Sequence, residues 1–389
     1  MRVCMLTYSF YEQDNRVMRY AEALAARGDA VDVLSLRRPG HPREETLQGV
    51  RVHRIQERER NERGQLTYFR RVFMFLLRSA WHVTRRHLRH RYQVIHVHSI
   101  PDFEVFAALI PRLTGAKVIL DIHDLVPELY ASKFRMSQGS PAFRGLLGLE
   151  RASARFAHHV IAANHLWGEK LGRRAVPPGR CTVFLNYPDP AIFAGLTPLP
   201  SDRFVFMYPG TLQKHQGLDL VVRALALVAT ELPAADFHVY GDGPEREALG
   251  ALVDELGLAG RVLFHGFLPM REVAARMASA QVGVVAKVKE SFGDEAFSTK
   301  ILEFMALGVP VIASRTTIDT YYFSDDDVEF FTSGDVPDLA RAMRTLYRDA
   351  GRRAALGAAG RRRATEFSWD RHRGDYFALV DGLVAGRRR

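Results

Sequence analysis

Cysteine is scarce in this sequence, and long apolar runs are absent. The chain of 389 residues has two cysteines, Cys4 and Cys181, which are too few for a disulfide framework or a four-cysteine zinc site. No apolar run approaches the roughly 18 residues that a membrane-spanning helix needs, and the first residues do not resemble a secretory signal. The sequence therefore argues against small disulfide-rich and membrane-spanning classes, and we expect a cytoplasmic protein.

Lysine is also scarce, although the chain is basic. Lysine and arginine together number 54 against 44 acidic residues, a net charge of +10, and only seven of the 54 are lysines. The basic residues crowd into 51–91 and into the last thirty residues. Such patches favour encounters with anionic ligands, lipid surfaces or nucleic acid, but they do not determine the fold.

Short apolar segments alternate with helical patterns along the whole chain, which predicts parallel sheets with crossover helices in an α/β fold. The strand-like segments are 3–6, 31–36, 94–97, 118–122, 160–163 and 183–185, then 204–208, 237–240, 262–264, 282–286, 309–313 and 328–331. A proline-rich break from Asn186 to Pro200 separates the two series. We therefore predict two doubly wound, Rossmann-like domains, with residues 1–196 in the first and 197–369 in the second.

The segment from Glu295 to Pro310 is the most informative part of the sequence. Its pattern predicts a helix that begins at Thr299 and ends at Gly308, with Pro310 beyond it. A helix N-terminus presents unpaired N–H groups and a positive dipole end, so it favours a phosphate or pyrophosphate. Donors for this anion site are Ser298, Thr299 and Lys300.

The paired glutamates Glu295 and Glu303, the second opening the stretch EFMALGVPVIA, resemble the signature of the family-4 retaining glycosyltransferases of GT-B fold. Further similarities are the stretches YPGTLQKHQGLD from Tyr208, YGDGPE from Tyr240, FHGFLP from Phe264 and DIHDLVPE from Asp121. The resemblance implies two facing domains, an N-terminal one for the acceptor and a C-terminal one for a nucleotide-sugar donor. It also implies that a C-terminal helix, residues 370–389, crosses back to the first domain.

The resemblance assigns roles residue by residue. Glu303 matches a ribose-binding glutamate, Glu295 one that contacts the donor sugar, and His123 a histidine close to the donor sugar and acceptor. The expected catalytic residues are His123, Lys214 and Glu295. The expected donor-binding residues are Gly210, Thr211, Lys214, Gly243, Phe267, Ser298, Thr299, Lys300 and Glu303. The expected acceptor-side residues are Asn15, Arg16, His98, Asp124 and Glu128.

The loop after Tyr208 departs from the family pattern. Thr211 and Gln216 stand where family members often have arginine and lysine. Lys214 is the remaining lysine of the loop, so we predict that it contacts the leaving phosphate. The glycine pair usual in the family's first loop is replaced by Asp14, Asn15 and Arg16.

Neither a metal nor an organic cofactor is predicted. His96 and His98 have no evident third ligand near them in the sequence, and Asp325, Asp326 and Asp327 are typical of a solvated turn before a strand. The stretch GDGPER from Gly241 lacks the last glycine of a dinucleotide fingerprint, which argues against a nicotinamide enzyme.

The basic, aromatic segment 68–91 has two interpretations. It can be a crossover helix with one solvated basic face, or an interfacial helix that docks on anionic lipid at the inner face of a membrane. Nucleic-acid binding ranks below both because no recognition module accompanies the charge, so no nucleic-acid partner is expected.

The sequence thus predicts a retaining glycosyltransferase that moves a hexosyl-type unit from a nucleotide-diphosphate sugar to a hydroxyl acceptor. The acceptor is a polysaccharide, a lipid-linked precursor or a small metabolite. Two alternatives stay open: an epimerase of the same fold that acts on the nucleotide sugar itself, and a donor-binding subunit with little activity.

Overall fold

The structure, a computed structural model, describes residues 1–58, 65–134, 136–193, 195–290 and 292–386. The chain divides into two compact units, Met1–Asn186 with Arg373–Arg389, and Tyr187–His372. The basic tail 387–389 lies outside the described residues. Among those residues, none of the helices is both long and apolar enough to cross a membrane.

The first unit is built on an eight-stranded sheet with the order β3-β4-β2-β1-β5-β6-β7-β8. Its strands are β1 Arg2–Thr7, β2 Ala30–Arg37, β3 Glu44–Leu47, β4 Val50–Glu57, β5 Val94–His98, β6 Lys117–Ile122, β7 His159–Ala162 and β8 Cys181–Val183. Its helices are α1 Asn15–Ala26, α2 Gln65–Arg89, α3 Leu109–Leu113, α4 Val126–Lys133, α5 Pro141–Phe156 and α6 His165–Arg174. All neighbouring strands are parallel except β3 and β4.

The antiparallel β3–β4 hairpin is absent from the sequence prediction. β3 is exposed and carries two glutamates, and β4 mixes apolar residues with buried polar ones, so neither shows a clean apolar run. The turn between them is formed by Gln48 and Gly49, both with positive φ, as in the tight turns that match strand twist. The charged strand β3 shields the edge of the sheet from further pairing.

The second unit is built on a six-stranded parallel sheet with the order β11-β10-β9-β12-β13-β14. Its strands are β9 Phe204–Pro209, β10 Ala235–Tyr240, β11 Val262–Gly266, β12 Val282–Val285, β13 Val311–Ser314 and β14 Glu329–Phe331. The remaining helices are α7 Pro190–Phe193, α8 Leu218–Val228, α9 Arg246–Glu255, α10 Met270–Ala278, α11 Thr299–Leu307, α12 Thr317–Tyr322, α13 Val336–Arg348, α14 Ala350–Glu366 and α15 Trp369–Ala385. Apolar side chains of α8, α9 and α13 and of the central strands form its core.

The helix α15 returns to the first unit, as the fold class implies. Tyr376 on this helix is fully buried, and its hydroxyl lies 2.9 Å from Nδ1 of His96 on β5. Arg27 at the end of α1 lies over the ring of Phe377 and pairs with Asp381. These contacts fix the end of the chain to the first sheet.

The division between the units lies ten residues before the predicted boundary at 196 and 197. The second unit begins at Tyr187 and ends at His372. The rings of these two residues stack at 4.5 Å, with 10° between their planes, so the linker residues after Asn186 pack with the second unit. The assignment of acceptor and donor roles to the two units stays a prediction.

In both sheets the strand order reverses beside the first strand, next to β1 in one and next to β9 in the other. Open α/β sheets bind ligands at the carboxyl ends of the strands at such a switch point. Ligand sites are therefore expected at the loops after β5 and β6 in the first unit, and at those after β9, β10 and β12 in the second.

Candidate functional site

The loops after β9 and β10 pack so closely that they require glycine. Gly210 and Gly241 have φ angles of 140° and 142°, a region that other residues rarely adopt. A Cβ on Gly241 would overlap the carbonyl oxygen of Gly210, and one on Gly210 would lie 2.5 Å from Cε of Lys300. The backbone of this loop thus stands directly against a lysine from α11.

The helix α11 has the bounds that its sequence predicts. It begins at Thr299, and Gly308 ends it with a φ of 71°. The residue before it, Ser298, is buried, makes no side-chain cap, and its hydroxyl has no hydrogen-bond partner within the described part of the chain. A buried hydroxyl without a partner costs free energy, and together with the exposed N–H groups of the helix it fits an anionic ligand.

Lys300 supplies a cation to this helix N-terminus. Its Nζ lies 5.2 Å from the centre of the Tyr208 ring, whose hydroxyl donates to the carbonyl oxygen of Thr211. Burial and, to a smaller degree, the charge of Lys287 lower the pKa of Lys300, although Glu303 opposes the shift. A partly desolvated ammonium group gains from an anionic partner because the anion replaces the lost water.

Lys214 is placed differently. It lies on the loop after β9, in a short 3-10 turn, with 72% of its side chain exposed and its Nζ 4.0 Å from a carboxylate oxygen of Asp219. Lys300 therefore stands against the backbone of Gly210, whereas Lys214 is directed to solvent and to α8. The role predicted for Lys214 remains a prediction.

The other predicted donor-binding residues lie at the carboxyl ends of neighbouring strands. The N–H of Gly243 donates to the Asp242 side chain beyond β10, and Phe267 is exposed just beyond β11. Glu303 follows Thr299 by one turn of α11, and burial raises the pKa of its carboxyl while Lys300 and Thr299 oppose that shift. Glu295 lies in the loop before α11, with its N–H bonded to the carbonyl oxygen of Phe292.

A buried ion pair that sequence reasoning missed holds the loop that carries Glu295. Nζ of Lys287 lies 2.9 Å from Asp319 Oδ2 and donates to the carbonyl oxygen of Ala296 at 2.7 Å. Thr316 donates to the same carboxylate. The one signal in the sequence is that Lys287 comes two residues after the apolar strand β12, where another apolar residue would be expected.

In the first unit, four charged or titratable side chains meet at the ends of β5 and β6. Asp121 accepts two hydrogen bonds from Arg16, Nε to Oδ2 at 2.8 Å and Nη2 to Oδ1 at 2.7 Å. His98 Nδ1 and His123 Nε2 each lie 3.2 Å from Asp121 Oδ2. Although burial opposes it, the charge of Arg16, with hydrogen bonds from both histidines, holds the pKa of Asp121 well below its usual range.

The predicted acceptor-side residues do not form one exposed group. Arg16 is buried, and its remaining donor binds the carbonyl oxygen of Phe184, so Arg16 positions Asp121. Glu128 is buried too and accepts two hydrogen bonds from Arg174, at 2.6 and 2.9 Å. Asn15 opens α1, and Asp124, whose pKa is raised by burial, follows His123 at the end of β6.

His96 and His98 have a third potential ligand that lies far from them in the sequence. Asp121 completes a group of three whose ligand atoms all lie within 4.8 Å of one another. Both Asp121 oxygens, however, are bonded to the guanidinium of Arg16, which would lie beside any bound cation. This donor set fits a buried ion pair better than a metal ion. The aspartates 325–327 lie in an exposed turn before β14, and that prediction is confirmed.

Comparison with known proteins agrees with this architecture. Residues 13–186 match the family model described as glycosyl transferase 4-like domain, and residues 196–363 match the one described as glycosyl transferases group 1. The 2-deoxystreptamine N-acetyl-D-glucosaminyltransferase of Streptomyces fradiae is 27% identical over 365 residues, 88% of this chain and 84% of the relative. The D-inositol 3-phosphate glycosyltransferase of Thermomonospora curvata is 26% identical over 399 residues, covering 95% of this chain and 88% of the relative.

Solved structures show the same fold. Sucrose-phosphate synthase from Thermosynechococcus elongatus aligns with a TM-score of 0.80 at 21% identity, over 99% of this chain and all of that one. HepE from Anabaena, in complex with UDP-glucose, aligns with a TM-score of 0.71 at 18% identity, over 99% of this chain and 98% of that one. With both halves matched by glycosyltransferase family models, the chain is an enzyme of the transferase class and belongs to the family-4 glycosyltransferases of GT-B fold.

Proposed function

We propose that the protein transfers a hexosyl-type unit from a nucleotide-diphosphate sugar to a hydroxyl acceptor, with retention of configuration and without a metal ion. The observation that carries this proposal is the N-terminus of α11, where Lys300 stands against Gly210 and the buried hydroxyl of Ser298 has no partner among the residues that the structure describes. A diphosphate supplies the acceptors that this arrangement lacks. The structure of HepE with UDP-glucose supports a donor of this chemical class.

In the proposed reaction, the bond between the anomeric carbon and the diphosphate breaks, and negative charge develops on the departing phosphate. Lys300 and the N–H groups of α11 stabilise that charge, which lowers the barrier because both are already oriented. Lys214 is a second, more mobile cation for the same phosphate. The acceptor hydroxyl attacks from the side of the leaving group, and its proton passes to a phosphate oxygen.

Two glutamates complete the proposed donor site. Glu303, one turn into α11, accepts hydrogen bonds from ribose hydroxyls, and Glu295 contacts the donor sugar. Lys287 keeps the loop of Glu295 in place through the carbonyl oxygen of Ala296. In the first unit, His123 is oriented by Asp121, and its role toward the donor sugar stays a prediction.

Hydrolysis of the donor in the absence of any added acceptor tests the proposal. UDP-glucose, GDP-mannose and their relatives are incubated with the protein and EDTA, and early products are followed by proton NMR. We expect one donor to release its hexose first as the anomer present in the donor, with loss of that release in Lys300→Met. The matched control is Lys289→Met, because Lys289 is an exposed lysine between β12 and α11.

The alternatives give different spectra. An epimerase would convert the nucleotide sugar without releasing hexose, and a binding subunit would bind a donor without either change. Release of the opposite anomer would contradict retention, and activity that EDTA abolishes would contradict independence from metal.

We further propose that α2 docks on an anionic membrane surface. This 25-residue helix has no acidic residue, and it carries the exposed apolar side chains Phe69, Phe73, Leu77 and Trp81 at intervals of four residues. Arg85 lies 4.9 Å over the ring of Trp81. An apolar row flanked by arginine fits the boundary between anionic headgroups and acyl chains. A location on the inner face of the membrane stays a prediction.

Sedimentation with vesicles tests the docking of α2. We expect binding to vesicles of phosphatidylglycerol and phosphatidylcholine, weaker binding at high salt, and a loss of at least tenfold in Phe73→Ser/Trp81→Ser. Leu227→Ser, at an exposed position of the second unit, should bind like the wild type. Equal binding by all three proteins would contradict the proposal and leave α2 as a solvated crossover helix.

A further inference from the structure

A small apolar pocket opens in the first unit at the carboxyl ends of β5 and β6. The start of α2 contributes Phe69 and Val72, α4 contributes Val126 and Tyr130, and α5 contributes Leu146 and Leu149. The segment that follows β5 closes one side. The pocket therefore lies at the edge of the sheet where α/β proteins bind ligands, next to the strand that ends before His123.

The volume of the pocket limits what it can hold. It encloses about 80 Å³, far less than the roughly 300–1,000 Å³ of pockets that surround a whole small molecule. A sugar ring with its hydroxyl groups would also find few polar partners on these walls. The pocket instead fits the end or the first segment of an apolar chain.

The polar groups of the pocket disfavour an anion. Its wall carries two carboxyl groups, Asp102 and Glu150, beside the hydroxyl groups of Tyr68 and Tyr130, and no basic side chain. Glu150 is bonded to Arg174, with Oε2 2.6 Å from Nη2. Asp102 is 4% exposed, and its Oδ1 has no hydrogen-bond partner among the residues described. Burial and the charge of Glu150 raise the pKa of Asp102 to about 7, which shows that this environment opposes negative charge.

The pocket is continuous with the exposed apolar row of α2. Phe69 lines the pocket and is also the first member of the row, and its neighbours Phe73, Leu77 and Trp81 are 49–55% exposed. Leu149, on the opposite wall, is also exposed at the rim. An amphiphile lying on the basic, apolar face of α2 could therefore place part of its chain in the pocket beside Phe69.

We propose that this pocket binds the hydrocarbon chain of a lipid-linked acceptor, at the chain segment nearest the head group. The inference rests on the proposed function and makes it more specific, because it selects an amphiphilic acceptor over a free polysaccharide or a small metabolite. The basic side chains of α2 match the anionic headgroups among which such an acceptor resides. The walls of the pocket provide the apolar contact.

Two glucosides with the same head group test the proposal. Octyl β-D-glucopyranoside and methyl β-D-glucopyranoside are titrated calorimetrically into the full chain, below the micelle concentration of the octyl compound. We expect the octyl glucoside to bind at least tenfold more tightly, because burial of two or more methylene groups gives a gain of about this size. Leu146→Trp, which fills the pocket, should remove that advantage.

Leu147→Trp is the matched control because Leu147 neighbours Leu146 on α5 but does not line the pocket. The affinity of Leu147→Trp for the octyl glucoside should stay within twofold of the wild-type affinity. If Leu146→Trp does not fold, Leu149→Trp at the rim replaces it. Melting temperatures with and without nucleotide sugars are measured on the same samples, so that a failure of donor binding is seen separately from a failure of the pocket.

Three results would overturn the pocket proposal while donor binding stands. The octyl and methyl glucosides could bind equally to the wild type. Leu146→Trp and Leu149→Trp could both leave octyl binding unchanged. Finally, Phe73→Ser could remove the advantage of the octyl glucoside instead, which would place the hydrocarbon chain on the exposed row of α2 and not in the pocket.

Discussion

Arg16 and Asp121, which are 105 residues apart in the chain, form a buried ion pair through two hydrogen bonds of 2.8 and 2.7 Å. The pair joins the start of α1 to the end of β6, and its carboxylate is the group to which both His98 and His123 are bound. The orientation of His123 therefore depends on a residue far away in the sequence.

The first prediction concerns this pair. Arg16→Met leaves the carboxylate of Asp121 buried without its main cation, and breaking a buried pair in this way costs about 3–5 kcal/mol of unfolding free energy. Denaturant unfolding of the isolated protein measures the loss. Arg315→Met breaks an exposed pair with Asp325, so it should cost less than about 1 kcal/mol. A similar small loss in both variants would contradict the structural role given to Arg16.

The second prediction concerns the cation of the proposed phosphate site. Lys300→Met should weaken binding of the nucleoside diphosphate by about 10- to 100-fold, the range expected for one charge-assisted hydrogen bond. Lys214→Met should weaken it by no more than about threefold, since Lys214 is directed to solvent. Calorimetric titration of both variants provides the comparison. A larger loss of affinity in Lys214→Met than in Lys300→Met would show that Lys214 makes the main contact with the phosphate.

The third prediction separates the two tasks of Lys287. Lys287→Met and Asp319→Leu each leave one buried charge unpaired and should each cost about 3–5 kcal/mol, whereas the double variant should cost less than either. Donor affinity should stay low in the double variant, because the hydrogen bond from Lys287 to the carbonyl oxygen of Ala296 is still missing. Recovery of both stability and affinity would show that the loop does not need this bond.

The fourth prediction concerns Glu104, a fully buried carboxyl in the 3-10 segment after β5. Burial raises its pKa to about 8. The folded state therefore binds this proton more tightly than the unfolded state, so stability falls as the pH rises from the unfolded pKa of 4.5 through about 8. Below that range the carboxyl is protonated in both states and its contribution vanishes.

Glu104→Gln removes this titration. Relative to the wild type, the variant should gain unfolding free energy as the pH is raised from 5 to 7, by on the order of 3 kcal/mol. Unfolding curves at several pH values measure this slope, and Glu255→Gln, at an exposed position, should parallel the wild type. Parallel curves for Glu104→Gln and the wild type would contradict the raised pKa.

The sequence predicted the elements with strong local signals. Apolar runs predicted the strands of both sheets other than β3 and β4, and Gly308 predicted the end of α11. The hairpin of β3 and β4 was missed because its first strand is exposed and charged. A local apolar pattern identifies a strand only when the strand is buried, and β3 is exposed along almost its whole length.

Site residues that depend on distant contacts could not be predicted in the same way. Nothing near Gly210 in the sequence indicates that Lys300, ninety positions later, stands against it. The same holds for Asp121 as the partner of Arg16 and for Asp319 as the partner of Lys287. Each relationship is created by the order of strands in a sheet, which brings together loops that are far apart along the chain.

The central proposal is that a nucleotide-diphosphate sugar binds at α11, and thermal shift with UDP-, GDP-, dTDP- and ADP-sugars tests it most directly. A ligand at one hundred times its dissociation constant adds about 2.7 kcal/mol of stability, or about 5 °C or more in melting temperature for a unit of this size. We predict that one nucleotide sugar produces this shift in the wild type and in Glu255→Ala, without added metal, and that Glu303→Ala loses it. Absence of a shift with every nucleotide sugar, or an equal shift in Glu303→Ala, would contradict the proposal.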